Sequence, residues 1–211
     1  MNTKSIISIG REFGSGGRDI ATMLAQKLNV EYYDKELISQ AAKESGVSPE
    51  IFDNVDERAT NSLLYSLSMG VYNFGANGYS QSHDLPVNDQ LYLLQHKIIT
   101  ELSSTPCVIV GRCADYILKD HENMVSVFIN ADFDYRVKRA VEVKQVPSEK
   151  SESAVRKTDK SRANYYNFYT DKKWGVASSY DLCINRTKLT DEQVVDIIIG
   201  YLNSREKNYG W

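Results

Sequence analysis

Ile6-Ile7-Ser8-Ile9-Gly10-Arg11-Glu12-Phe13-Gly14-Ser15-Gly16-Gly17-Arg18-Asp19 is a short β-branched run that enters a glycine-rich turn and opens directly into a helical pattern. That is the layout of a phosphate-binding loop. Glycines let backbone N–H groups converge on an anion, and the following helix aims its unsatisfied amides and positive dipole end at the same point. The usual pattern is G-x-x-x-x-G-K-[ST], whose Lys reaches the β- and γ-phosphates and whose hydroxyl binds Mg²⁺. With Gly14-Ser15-Gly16 aligned on the glycines before that Lys, Gly17 takes the Lys position, Arg18 the Ser/Thr position and Arg11 the first Gly position. The loop is suited to phosphate but lacks its standard cation and metal ligand. Two other readings stay open. One is a tight strand-to-helix connection without a ligand. The other is a dinucleotide fingerprint G-x-G-x-x-G, with Asp34 after a second strand as the ribose-binding acid, although Asp19 stands where the third glycine belongs.

The chain has 211 residues and a net charge of -3, a length that suits one α/β domain with insertions. Of its three cysteines, Cys107 and Cys183 lie inside apolar strand-like runs, where reduced thiols pack as small hydrophobes. The first residues lack the long apolar core of a signal peptide, and no apolar run approaches the roughly 20 residues of a membrane span. A cytoplasmic protein with no membrane partner is expected. Charge is unevenly spread: from Arg136 to Lys173, eleven Lys/Arg stand against five Asp/Glu, while the rest of the chain is acidic. A confined basic segment on an acidic protein points to a small anionic ligand rather than a nucleic-acid polymer.

Apolar periodicity predicts strands at 4–9, 30–33, 107–111, 125–129 and 180–184, and helices at 19–28, 35–44, 88–102, 132–143, 148–169 and 190–207. Strands alternating with helices imply a parallel sheet. Residues 63–82 are rich in Tyr and carry no charge, a mixture that suits a substrate cover, a partner-facing helix or an ordinary amphipathic helix with a loop after it. In open parallel sheets, ligands bind beyond the carboxyl ends of the strands. Four clusters fall there: the loop at 11–18, Asp34-Lys35, Gly111-Arg112-Cys113-Ala114-Asp115, and the set Arg136, Arg139, Arg156, Lys157, Asp159, Lys160 and Arg162. Arg156, Asp159, Lys160 and Asn164 are spaced to share one helical face. Such charge suits phosphoryl transfer, which needs neutralisation and positioning more than covalent chemistry.

Gly14-Ser15-Gly16-Gly17-Arg18, Tyr33-Asp34-Lys35-Glu36-Leu37, Val110-Gly111-Arg112-Cys113-Ala114-Asp115, Asp159-Lys160-Ser161-Arg162 with Tyr165-Tyr166, and Trp174-Gly175 followed by Tyr180-Asp181-Leu182 occur in that order. The set resembles the cytidylate kinase-like proteins, relatives of bacterial cytidylate kinase among the nucleoside monophosphate kinases, and the resemblance spans nearly the whole chain. It implies an α/β fold of three layers, α/β/α, with a five-stranded parallel sheet, P-loop NTPase-like. It also implies a single kinase-like domain: a core at 1–33, 105–143 and 176–211, a helical acceptor-binding insertion at about 34–104 and a lid at about 144–175. By motif match, Arg11, Glu12, Gly14, Ser15, Gly16, Gly17 and Arg18, with Arg136 and Arg139, would hold ATP. Asp34, Lys35, Arg112, Asp115, Lys157, Asp159 and Arg162 would hold the acceptor, CMP first among the candidates. Arg18, Arg112, Arg156 and Arg162 would neutralise the transferred group. ATP is expected with Mg²⁺, and the motifs name neither a metal ligand nor an oligomeric state. Two departures stand out: the loop Lys and Ser/Thr are missing, and Cys113 replaces the Asp that follows Gly-Arg in authentic cytidylate kinases. Arg18 is the sequence's candidate for the missing charge. The rivals are a nucleotide-binding sensor that kept the fold and lost turnover, and a dinucleotide-binding oxidoreductase.

Overall fold

The computed structural model describes residues 3–37 and 87–208. Among the described residues there are five strands, β1 (Ile6–Arg11), β2 (Glu31–Tyr33), β3 (Cys107–Val110), β4 (Met124–Asn130) and β5 (Leu182–Asn185). They form one parallel sheet in the order β2-β3-β1-β4-β5. A dinucleotide-binding sheet places its second strand beside the first; here β3 lies between them. That order removes the oxidoreductase reading.

The described helices are α1 (Gly17–Leu28), α2 (Val87–Leu102), α3 (Ala114–Ile117), α4 (Phe133–Glu142), α5 (Ser148–Tyr169) and α6 (Asp191–Asn208). Alternation along the strands sends side chains to opposite faces of the sheet. Ile7 and Ile9 of β1, Val108 and Val110 of β3, and Val125, Val127 and Ile129 of β4 pack with Ile20 and Leu24 of α1 and Val194, Val195 and Ile198 of α6. On the other face, Ile6, Cys107, Ile109 and Met124 pack with Ile98 and Ile99 of α2 and Ala114 of α3. β1 then turns small on this second face, with Ser8 and Gly10 following Ile6. A buried aliphatic side chain at either place would be worth about 1.5–3 kcal/mol. Forgoing that burial leaves the floor of a pocket instead.

The sequence places most elements within two residues. α1 starts two residues before the predicted helix because Gly16, at φ 79°, turns the chain straight into it. Asp34 caps the next helix as expected, Oδ1 accepting the N–H groups of Glu36 and Leu37 at 3.1 and 3.2 Å. The rest of that helix and the uncharged stretch 63–82 lie outside the described residues. β5 begins at Leu182 rather than Tyr180. Tyr180 is drawn onto the Phe128 ring at 4.8 Å, and Asp181 accepts the backbone N–H and the hydroxyl of Ser126, both at 2.8 Å. No helix among the described residues is long and apolar enough to cross a membrane.

Candidate active site

The glycine loop is braced from behind by a buried charge network. Asp159 of α5 accepts the Phe13 N–H at 2.7 Å and pairs with Arg136. Arg136 also donates to the carbonyls of Ala131 (3.0 Å) and Phe13 (3.2 Å) and pairs with Glu12 at 3.1 Å. Glu12 itself accepts the Ala131 N–H at 3.1 Å. Burial raises the Glu12 carboxyl, an effect that this N–H and the Arg136 charge oppose. A Cβ at Gly14, where φ is +80°, would stand 2.5 Å from the Arg136 carbonyl oxygen, so Arg136 and the loop fit only with glycine there. Arg139 pairs with Asp19 at 2.5 Å beside the start of α1. Arg186, 5% exposed, donates to the Ser15 and Leu189 carbonyls and pairs with Asp191 at 2.7 Å.

In front of the loop lies an open cleft lined by Arg11, Gly14, Gly16, Gly17, Arg18, Asp34, Lys35, Lys144 and Arg162. Arg18 pairs with Asp34 at 2.6 Å and with Glu36 at 2.5 Å, which raises its pKa, the Glu36 hydrogen bond contributing most. It therefore sits at the β2 side of the cleft with its charge shared between two carboxylates.

A second, tighter pocket opens under the C-terminal half of α5, floored by Ser8 and Gly10 and walled by Arg112, Asp115, Tyr165, Tyr166, Trp174 and Tyr180. The turn that delivers Arg112 is unusual: Gly111, Arg112 and Cys113 all have positive φ, at 75°, 57° and 56°. Non-glycine residues held there cost of order 1–3 kcal/mol each. Arg112 is buried and its guanidinium lies 5.8 Å from the Tyr165 ring centroid. Asp115 accepts the Tyr166 hydroxyl at 2.6 Å, and Lys172 is 3.8 Å away. Burial raises the Asp115 carboxyl, against the Tyr166 hydrogen bond and the Lys172 charge. Burial raises the Cys113 thiol as well, so this residue packs as a hydrophobe where an ionised Asp would not. α5 is tied down across the mouth by Tyr165, Tyr166 and Tyr169, whose hydroxyls donate to Gln95, Asp115 and Asp89.

Arg11 and Arg162 line both spaces. Arg162 donates to the Arg11 carbonyl at 3.1 Å.

The structure thus gathers Arg11, Glu12, Phe13, Gly14, Gly16, Gly17, Arg18, Asp34, Lys35, Arg112, Asp115 and Arg162 around two adjoining clefts, whereas Ser15 lines neither: it is buried and its hydroxyl donates to the Glu12 carbonyl at 2.9 Å. Arg136, Arg139 and Asp159 stand immediately behind the loop. Arg156 and Lys157 line neither cleft; Arg156 lies over the Phe133 ring, 4.1 Å from its centroid.

The model of the cytidylate kinase-like family matches residues 6–188. The chain belongs to the cytidylate kinase-like family. It is 30% identical over 191 residues to a cytidylate kinase of Methanosarcina barkeri (strain Fusaro / DSM 804), a match covering 87% of this chain and 91% of that one. The crystal structure of an uncharacterized protein from Eubacterium ventriosum ATCC 27560 is similar at a TM-score of 0.71 and 32% identity, covering 95% of this chain and 99% of that one. Shikimate kinase from Acinetobacter baumannii in complex with shikimate shares the fold, at a TM-score of 0.52 and 15% identity, with 97% and 95% covered. The fold is that of the P-loop kinases.

Within this family member, sequence reasoning assigned no role to Arg186 or to the aromatic walls Tyr165, Tyr166, Trp174 and Tyr180. Arg186 follows a strand end, the same signal that singled out Arg112, and could have been found by it. The aromatic wall carried no such signal: its members come from α5 and the segment after it, and only packing brings them over β1.

Proposed function

We propose that this chain is an ATP-dependent phosphotransferase that passes the γ-phosphoryl group of ATP to a nucleoside monophosphate, CMP first among the acceptors, in the cytoplasm. The observation that carries the reading is the meeting of two unlike clefts at Arg11 and Arg162: a glycine-loop cleft suited to a triphosphate, and an aromatic pocket with Arg112 at its edge, suited to a phosphorylated ring compound. Residues of about 34–104 would form the acceptor-binding insertion and about 144–175 the lid, which on closing would bring Arg156 and Lys157 towards the phosphates.

In this reading the loop N–H groups and the α1 N-terminus hold the triphosphate, with Arg136, Arg139 and Asp159 fixing the loop's shape. Arg112 and Arg162 hold the acceptor phosphate, and Asp115 with Tyr166 faces its base. An acceptor phosphate oxygen attacks the γ-phosphorus in line. The bond from phosphorus to the bridging oxygen breaks, and its electron pair stays on ADP. Among the described residues no group of three His, Cys, Asp or Glu is placed to hold a metal ion. Asp19 and Asp34, which line the glycine-loop cleft, would partner the waters of an Mg²⁺ bound mainly through the substrate phosphates. Mg²⁺ would supply further charge neutralisation there.

A coupled assay with ATP against the common nucleoside monophosphates, sugars and small hydroxy acids tests the reading. Turnover with CMP or another monophosphate is expected, and turnover only with a non-nucleotide would refute the acceptor class. The sensor remains the second reading because Gly17 has no side chain to reach a phosphate and Arg18 is shared between Asp34 and Glu36. Tight ATP binding with no turnover would select it.

A further inference from the structure

Relative to an ordinary P-loop, two positions of this loop have exchanged character: a glycine has become Arg11 and the lysine has become Gly17. In the folded chain these two positions touch. A Cβ at Gly17 would stand 2.5 Å from Arg11 Cβ and 3.1 Å from its Cγ. The stem of Arg11 therefore fills the space from which a lysine at 17 would start. Farther along, a Cβ at Gly111 would overlap Arg11 Nη1 and stand 3.2 Å from Cζ. The guanidinium thus lies across the end of β3, against Gly111. Two glycines from distant parts of the sequence make room for one arginine, and that arginine lines both clefts.

We propose that Arg11 is the cation that replaces the loop lysine: a catalytic residue whose guanidinium contacts the γ-phosphoryl group as it passes from one cleft to the other. The proposal rests on the phosphotransferase reading and gives it the charge that the loop's sequence lacks. Arg18 is the weaker choice, since it lines the glycine-loop cleft alone, whereas Arg11 lines both spaces. A guanidinium also does what an ammonium does not, presenting a planar fork to two phosphate oxygens at once. At the boundary between the clefts, that fork reaches the oxygens of the group in transit. Removing such a contact, made most strongly in the transition state, is expected to lower kcat more than it raises either KM.

The experiment compares wild type, Arg11→Met, Arg11→Lys and the double variant Arg11→Gly with Gly17→Lys, by steady-state kinetics with ATP and CMP, MgATP calorimetry and melting temperature. Arg11→Met keeps the packed stem and is expected to lose about a hundred- to thousandfold in kcat, as other transition-state donors do, with the CMP KM changed less than about threefold. The double variant, which restores the usual loop order, is expected to recover at least about tenfold of that loss, a recovery that a packing role would not produce. A folded Arg11→Met with kcat within about threefold of wild type overturns the proposal. So does a double variant that folds and recovers nothing. If wild type binds MgATP but transfers to no acceptor, the phosphotransferase reading fails by itself. Arg11 is then judged on affinity: a loss of about tenfold or more in Arg11→Met supports it as the phosphate cation, and an unchanged affinity overturns it.

Discussion

Two spaces lie side by side at the carboxyl end of one sheet, and they are made of opposite materials. The glycine-loop cleft is shaped by backbone and held by buried ion pairs, Arg136 with Glu12 and Asp159, Arg186 with Asp191. The pocket under α5 is walled by rings, Tyr165, Tyr166, Trp174 and Tyr180, with Phe128 packed against Trp174 and Tyr180 at 5.2 and 4.8 Å between centroids and the Tyr166 hydroxyl bonded to buried Asp115. In the proposed reading the first cleft holds a phosphate chain, which is the same in every nucleotide, so it needs position and charge only. In the same proposed reading the second pocket must tell an acceptor from its analogues, and shape with buried polar groups does that better than exposed charge. Changes behind the loop should therefore cost stability and donor binding together, whereas changes in the ring-walled pocket should fall on the acceptor.

The largest effect is expected from Asp159→Ala. It breaks a buried pair and leaves the Phe13 N–H without its partner, a loss of about 3 kcal/mol. Differential scanning calorimetry should then show a melting temperature lower by about 6–12 °C, together with weaker ATP binding. An unchanged melting temperature would mean that the loop is held by other contacts. Arg112→Ala comes next. One charge-assisted phosphate contact is worth about 1.5–3 kcal/mol, so the acceptor KM should rise about ten- to hundredfold while ATP affinity stays nearly intact. Equal losses on both substrates would erase the contrast between the clefts. Tyr166→Phe removes one buried hydroxyl and should cost about 1 kcal/mol, with a rise of a few-fold in the acceptor KM.

The smallest effect concerns pH. Burial raises the Asp115 carboxyl from an ordinary value of 3.8. Below that pH the group is neutral in both folded and unfolded chains. As pH rises through its folded pKa, ionisation costs the folded state stability. The melting temperature of Asp115→Asn relative to wild type should therefore rise as pH increases above about 4. A difference independent of pH would show that Asp115 is not held up by burial.

The sheet was legible because its central strands are uninterrupted apolar runs and its glycines mark the turn into α1. Residues 107–110 and 124–130 could hardly be anything but interior strands. The candidate site was legible where a cation or acid stands just past a strand, as with Asp34 and Arg112. Contacts between distant segments were not. Asp159 reads as part of a charged helical face, yet it bonds Phe13 across 146 residues. Its neighbour Arg156, on the same face by spacing, lies instead over Phe133. A stripe of charges tells which residues share a side of a helix, and only the packing of α5 against α4 and the loop decides which of them meets the ligand side. Arg11 shows the same limit. Its position in the loop was evident, whereas its fit between Gly17 and Gly111 required the fold.

The central claim, that the two clefts are separate and meet at Arg11 and Arg162, is tested most directly by calorimetry with a bisubstrate analogue in which a polyphosphate chain joins adenosine to cytidine. Holding both halves at once turns the second contact into an intramolecular one. The analogue should bind at least about a hundredfold more tightly than ATP or CMP alone, and Arg112→Ala should remove most of that advantage. An analogue that binds no better than ATP would contradict two adjoining clefts in this fold.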